Sequence, residues 1–273
     1  MESLHTIENI HKIFDTAGSS PLLVSCNDKK LWVCKYDTTH HSLLNELLAA
    51  EFAKIWKIKV PDTSLITVKN EHIPDIMKPR IQSHWFEKEC FGSLYLMDAK
   101  EIDLTTFSLF KNKSFRDKIH DKIDFLKIAL FDIWLSNEDR HYNNFNLLLD
   151  TTADKISFFY AIDHVNIFNT SSLKYGIYQL NEDETILNTE LARILFSKNT
   201  KLIQVVDNLI QNFYLCTLEC KNKLPEILKL IPISWKLDVD YIQGQLEDSI
   251  FKDSWFKECD DTFREFVQSF IRN

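Results

Sequence analysis

Asp139, Asn144 and Asp163 are the residues of this 273-residue chain whose types and spacing could do chemistry together. Phosphoryl transfer asks little covalent help of a protein. It needs cations against the phosphates and a carboxylate that orients or deprotonates the attacking hydroxyl. Asp139 stands five positions before Asn144, so one loop can carry both into one cleft. Asp163 follows two short apolar segments, 145–149 and 156–162, and can enter that cleft from the end of a hairpin. An Asp-x₄-Asn pair alone is weak, because both residue types commonly cap and turn loops. The context strengthens it: a loop holding Asp, Arg, His and several Asn residues lies between a strongly apolar helical run and an apolar hairpin, with another Asp beyond.

The elements that must position these residues follow from periodicity. Residues 21–26 and 31–36 read as a hairpin closed by the turn Asn27-Asp28-Lys29-Lys30, and 42–56 as a helix with Leu43, Leu47, Ala50, Leu44, Leu48, Phe52 and Ile55 at helical spacing. Residues 64–68 and 91–97 are candidate strands. From about Leu104 the character turns helical, with one long helix expected over 115–135 that delivers the chain into the Asp139 loop. Beyond Glu182 the chain reads as helices with turns near Lys198-Asn199, Lys221-Asn222 and Ile231-Pro232-Ile233. The expected fold is α+β and two-lobed, like a protein kinase: a small β-rich lobe with one helix over 1–98 and a larger, mainly helical lobe over 99–273. A cleft between the lobes is the natural place for a small-molecule site.

Other residues invite roles by their surroundings. Lys35 ends an apolar strand, where an ammonium needs a phosphate or carboxylate partner. Thr16 to Pro21 holds a single glycine, Gly18, beside Ser19 and Ser20; its backbone N–H groups and hydroxyls could cradle an anion as a nest. Tyr95, Leu96 and Met97 fall on the connector between the lobes, where an adenine ring would lie. His141 and His164 are read as groups that hold the loop, with the base role left to Asp139.

Composition narrows the function classes. A formal charge of −8 and a pI near 5.6 argue against a general grip on nucleic acid, and 45% hydrophobic residues suffice for a large core. No apolar stretch reaches transmembrane length and residues 1–14 do not read as a signal peptide, so a cytoplasmic protein is expected. The six cysteines lack zinc-site spacing and are read as buried free thiols.

The chain resembles the HipA-like kinases, specifically the compact group without the separate N-terminal domain. Trp32-Val33-Cys34-Lys35, Asn45-Glu46-Leu47-Leu48-Ala49 with Val60-Pro61, Phe91-Gly92-Ser93-Leu94-Tyr95, the run from Asn137 to Asn144, and Ala161-Ile162-Asp163-His164 stand in the family's order. The resemblance covers about residues 16–168; the Asp-Arg-His run is also similar to the catalytic loop of phosphoinositide kinases. It implies an ATP- and Mg²⁺-dependent serine/threonine protein kinase in which Asp139 is catalytic, Asn144 and Asp163 hold Mg²⁺, and Lys35 contacts the ATP phosphates. Glu46 is the implied partner of Lys35, with Glu51 as fallback; Ser19 and Ser20 are the implied autophosphorylation sites. The resemblance further implies a toxin restrained by an antitoxin protein, with aminoacyl-tRNA synthetases as substrate class. The rival readings are a small-molecule or lipid kinase with the same fold, and a pseudokinase that serves as an interaction module; the glycine-poor loop favours the last.

Overall fold

The computed structural model describes residues 1–15, 20–37, 41–78, 80–151, 156–170, 173–197 and 199–272. The first part is a mixed sheet built from β1 (Glu2–His5), β2 (Lys12–Ile13), β3 (Leu22–Ser25), β4 (Leu31–Lys35), β5 (Thr63–Thr67) and β6 (Cys90–Leu94), with helix α1 (His41–Ile55) between β4 and β5. Its strand order is β1-β5-β6-β4-β3-β2. Alternation explains β4, in which Trp32 and Cys34 point into the core while Lys35 is left at the strand end. The β3–β4 hairpin turns through Lys29, which takes a left-handed φ of 65°. Edge strand β1 runs parallel to β5, and the sequence reading did not foresee it.

The second part continues through β7 (Lys100–Glu101), α2 (Phe107–Lys111), α3 (Lys113–Arg116), α4 (Ile123–Leu135), β8 (Leu147–Asp150), β9 (Phe158–Ala161), α5 (Glu190–Phe196), α6 (Leu202–Leu228), α7 (Val239–Glu247) and α8 (Asp253–Arg272). Two expectations are corrected. The helical run over 115–135 breaks between Arg116 and Ile123, where Ile119 bridges to Ser157 and His120 N–H donates to the Ser157 carbonyl at 2.9 Å. Pairing with the strand segment wins there over helix continuation. The turn expected at Lys221-Asn222 is absent: α6 passes through both residues and through Pro225, its face of Phe213, Cys220, Leu224 and Leu228 staying buried throughout.

Two apolar cores result. One lies inside the sheet and joins Leu4, Val24, Trp32, Cys34, Ile66 and Cys90. The larger joins the helices of the second part and takes in α1 as well, through Leu43, Leu47 and Phe52, and Trp56 just beyond its end. Trp56 stacks on Trp134 of α4 with ring centroids 5.4 Å apart. The Trp134 indole N–H donates to the Ile250 carbonyl at 2.9 Å, and Trp255 of α8 donates to the Trp134 carbonyl at 2.9 Å. Helix α1 is therefore anchored to the helical part, although the sequence places it among the strands.

Gly92 in β6 is a position where a side chain has no room. A Cβ there would meet Ile66 Cδ1 at 2.3 Å and Cγ1 at 2.8 Å, and Ile66 is fully buried. Gly92→Ala should lower stability by about 1–3 kcal/mol, measured by urea unfolding, and shortening the obstacle with Ile66→Val should recover part of that loss. Equal stability of Gly92→Ala and wild type would refute this packing account.

Candidate active site

Helix α4 ends inside the protein, and its ending shapes the loop. Ser136 adopts φ 49° while Asn137 N–H reaches back to the Asp132 carbonyl at 2.9 Å and Ser136 N–H to Ile133 at 3.3 Å. This is the closure expected where a left-handed residue follows the last turn. The chain then passes through Glu138, Asp139 and Arg140 and doubles back, with His141 and Asn144 exchanging backbone hydrogen bonds of 2.9 and 3.1 Å.

Arg140 turns inward. Its guanidinium is wholly buried, forms an ion pair with Asp132 of α4, and donates to the Ile162 carbonyl at 2.7 Å and the Asn146 carbonyl at 3.4 Å. The His164 ring lies 3.2 Å from the same guanidinium. Burial lowers the pKa of His164 well below the usual imidazole value, and the Arg140 and Lys35 charges push it the same way. His164 is thus neutral and accepts from Arg140, a structural role. Burial raises the Asp132 carboxyl above its ordinary value, against the opposing pull of Arg140 and the Asn137 amide, which donates to it at 2.9 Å.

Lys35 Nζ at the end of β4 lies between two carboxylates. It forms an ion pair with Glu46 of α1 and donates to Asp163 Oδ1 at 2.8 Å. Burial alone would lower the Lys35 pKa, but Glu46 and Asp163 outweigh it and hold the ammonium protonated. The two acids divide under their shared cation. Burial and the Asp163 charge raise Glu46 despite Lys35, whereas burial of Asp163 is overcome by Lys35, by Arg140 and by the Val165 N–H, so Asp163 stays below the usual carboxylate range. Glu51 pairs instead with Lys54 on the outer face of α1, at 2.5 Å.

The expected residues are placed as follows. Asp139 lines a cavity of about 390 Å³ and accepts from the Asn166 amide at 2.8 Å and from Asn146 at 3.4 Å. The Asn144 amide is partly buried and has no hydrogen-bond partner among the described residues. Asp163 has left-handed φ 57° and a carboxylate one-third exposed. Tyr95 and Leu96 are partly buried beyond the end of β6, with Tyr95 N–H on the Leu31 carbonyl at 2.9 Å, whereas Met97 stands 73% exposed. Gly18 and Ser19 lie outside the described residues; Ser20 is partly buried. Sequence reasoning missed Asn166, whose contact with Asp139 had no signal except its position three residues beyond Asp163.

The donor set suits a hard divalent cation. Asp163 commits one oxygen to Lys35 while its carboxylate reaches solvent, and the Asn144 amide is uncommitted, giving oxygen ligands of the kind Mg²⁺ prefers. Among the described residues no group of three His, Cys, Asp or Glu side chains forms a metal cluster, and all six cysteines are free.

A lysine paired with a helix carboxylate, a loop Asp and a second Asp beyond a hairpin, set between a sheet and a helical body, define a kinase-like phosphotransferase architecture. The HipA-like kinase family model matches residues 7–254, and the chain belongs to that family. Among solved structures, the Helicobacter pylori proinflammatory kinase CtkA is similar at 15% identity and TM-score 0.58, over 96% of this chain and 99% of that one. Shewanella oneidensis HipA, from a complex with HipB and operator DNA, aligns at 13% identity and TM-score 0.47 over 96% and 68% of the two chains. A Golgi casein kinase with Mn/ADP bound aligns at 12% identity and TM-score 0.45 over 93% and 74%. No curated protein matches the chain significantly.

Two outcomes follow from the buried network. Arg140→Ala, which strands Asp132 in the core, should cost about 3–5 kcal/mol in urea unfolding, and the paired replacement Asp132→Leu/Arg140→Met should cost less than the single change. A single variant as stable as wild type would show that the guanidinium is not needed. For His164 the folded pKa lies below the unfolded value of about 6.5, so the unfolded chain binds the extra proton as pH falls. Below pH 6.5 this site should therefore cost stability at up to about 1.4 kcal/mol per pH unit. Histidine-selective NMR should show one ring still neutral at pH 6, missing in His164→Gln; nine rings all titrating normally would overturn this assignment.

Proposed function

We propose that the chain is a serine/threonine protein kinase that transfers the γ-phosphoryl group of ATP to a hydroxyl of another protein, with Mg²⁺ as its metal. The observation that carries this reading is the ion-paired Lys35, which joins β4, α1 and the segment after β9 at one point beside the Asp139 loop. Family membership supports the general reaction.

In this reading Asp139 accepts the hydrogen bond of the acceptor hydroxyl and aims its oxygen, while Asn166 fixes the carboxylate plane from the other side. Lys35 binds the phosphates, and Glu46 holds the ammonium in place. Asp163 and Asn144 would hold the metal, which when bound neutralises phosphate charge. Tyr95, Leu96 and Met97 would form the connector that faces the adenine. We take residues 1–98 and 99–273 as the two lobes, and Ser19 and Ser20 as autophosphorylation sites. The resemblance to HipA-like kinases extends the proposal to a cytoplasmic toxin with a protein antitoxin and an aminoacyl-tRNA synthetase target.

Labelled-phosphate transfer from Mg²⁺·ATP tests it. Wild type should incorporate label into itself or a lysate protein, and Asp139→Asn and Asp163→Asn should each lower the rate by about 10²–10⁴-fold, with mass spectrometry of the peptide spanning Ser19 and Ser20 locating any self-modification. Folded protein that binds ATP but transfers nothing would refute the kinase reading and favour an interaction module.

A further inference from the structure

A second cavity, of about 540 Å³, adjoins the one that Asp139 lines and shares Asn166 and Thr170 with it. Nothing in the proposed transfer chemistry fills it. Three elements enclose it: the start of α1, the segment after Asp163, and the turn that leads into α7. Its apolar lining comes from Leu44, Val165, Phe168, Leu237 and Ile242, with a few polar groups among them. That volume and that mixture suit a small molecule.

The polar groups decide the ligand's charge. Both carboxylates of the lining are committed to helix starts. Asp37 accepts from Ser42 N–H at 3.3 Å and from the Ser42 hydroxyl, and Asp238 accepts from Tyr241 N–H at 3.0 Å as the cap of α7. Lys236 and His41 line the same cavity and are exposed, so they stand where it opens to water. Neither side chain has an ion-pair or hydrogen-bond partner among the described residues. A cationic ligand would meet an unpaired ammonium here, whereas an anion finds that ammonium and an imidazole N–H ready to donate.

The walls are also tied to the transfer site. The Asn45 amide of α1 donates to the Val165 carbonyl at 2.7 Å, and the residue after each, Glu46 and Asn166, reaches Lys35 and Asp139. The third wall is fixed to the sheet. Just before it, the Trp235 indole N–H donates to the Glu89 carbonyl at 2.9 Å and the Ser234 hydroxyl to the Glu89 carboxylate, next to the start of β6. A body packed among these elements braces α1 against the segment that carries Asp163.

We propose that this cavity binds a small anion with an apolar body, a carboxylate or sulfonate on an aryl or acyl group, its body on Leu44, Phe168 and Ile242 and its charge against Lys236 and His41. Binding favours the arrangement in which Lys35 meets both Glu46 and Asp163, and so raises the affinity for Mg²⁺·ATP. That effect rests on the kinase reading; the site itself does not.

The probes are anilinonaphthalene sulfonate and its uncharged relative phenylnaphthylamine, whose fluorescence rises on apolar burial, titrated into the full chain. The sulfonate should bind at a single site at least about tenfold more tightly than the amine, and less tightly as salt rises. Lys236→Glu should remove that preference, and Leu237→Trp, which fills the cavity, should weaken both probes by about tenfold, with wild-type thermal melts showing that both variants fold. Equal binding of the two probes, sulfonate binding that neither substitution changes, or displacement of the sulfonate by Mg²⁺·ATP overturns the site. Saturating sulfonate should tighten Mg²⁺·ATP binding by about fivefold, and an unchanged ATP affinity overturns the coupling. Protein that binds the sulfonate as stated but neither binds ATP nor transfers phosphate sinks the kinase reading and leaves the site standing.

Discussion

The buried guanidinium of Arg140 is the constraint on which the site depends. A charge wholly removed from water is tolerated only if its donors are satisfied, and here they reach Asp132 on α4, two backbone carbonyls and a neutral imidazole. Each partner fixes a different piece of chain. Asp132 ties the loop to the most buried helix, the Asn146 carbonyl sets the entry to β8, and Ile162 with His164 sets the exit from β9. Asp139 and Asp163 are the chain neighbours of these anchored residues, so their separation is determined by buried groups. The cost of burying the ion pair is offset by this positional definition, in keeping with the use of buried polar networks to specify one arrangement.

Lys35 carries the complementary constraint. It ends a strand whose neighbours Trp32 and Cys34 belong to the core of the sheet, while its partner Glu46 rides on a helix embedded in the other core. The sheet and the helical body thus meet through a charged pair at the site as well as through apolar packing, Phe91 of β6 lying in the larger core. Any shift of the sheet relative to α1 changes the Lys35–Glu46 pair before it disturbs the Trp56–Trp134 stack. That arrangement makes the ion pair at Lys35 sensitive to the relative position of the sheet and α1, the kind of polar, adjustable link found where packed bodies move against one another.

Much of this was legible in the sequence because the signals were local. The β3–β4 hairpin carries its own turn residues, α1 its own apolar spacing, and Asp139 and Asn144 sit five apart on one loop. What was missed depends on distant partners. β1 has one buried residue, Leu4, and is a strand only because β5 offers it an edge. The interruption before α4 exists because Ser157, far along the chain, takes up the backbone of 118–120. Lys221 and Asn222 look like a turn, yet both face outward on a helix held by its buried side. Asn166 is an ordinary polar residue until the chain folds it back on Asp139. Arg140 was seen as part of a motif, but that it would be the buried member could not be read without knowing that Asp132 faces it.

The backbone around the site gives a reason for its rigidity. Only four glycines occur in the chain, yet Ser136, Asn146, Asp163, Phe168, Asn169 and Thr170 all take left-handed conformations. Such angles are unfavourable for residues with a Cβ, at about 1 kcal/mol or more each, and persist only where surrounding contacts over-determine them. Those contacts are present: Phe168 N–H donates to Leu135 at 2.7 Å, Asn169 N–H to Ser136 at 3.0 Å, Ile162 N–H to Asn146 at 3.0 Å, and the Asn169 side chain brackets Tyr178 through both its backbone groups. Glycine would relieve the strain and also widen the range of loop conformations. Side-chain-bearing residues held by hydrogen bonds instead leave each loop one well-defined path, which fixes the placement of Asp139, Asn166 and Asp163. The strain is thereby linked to the site's shape: contacts that stabilise the fold elsewhere hold these loops in one geometry.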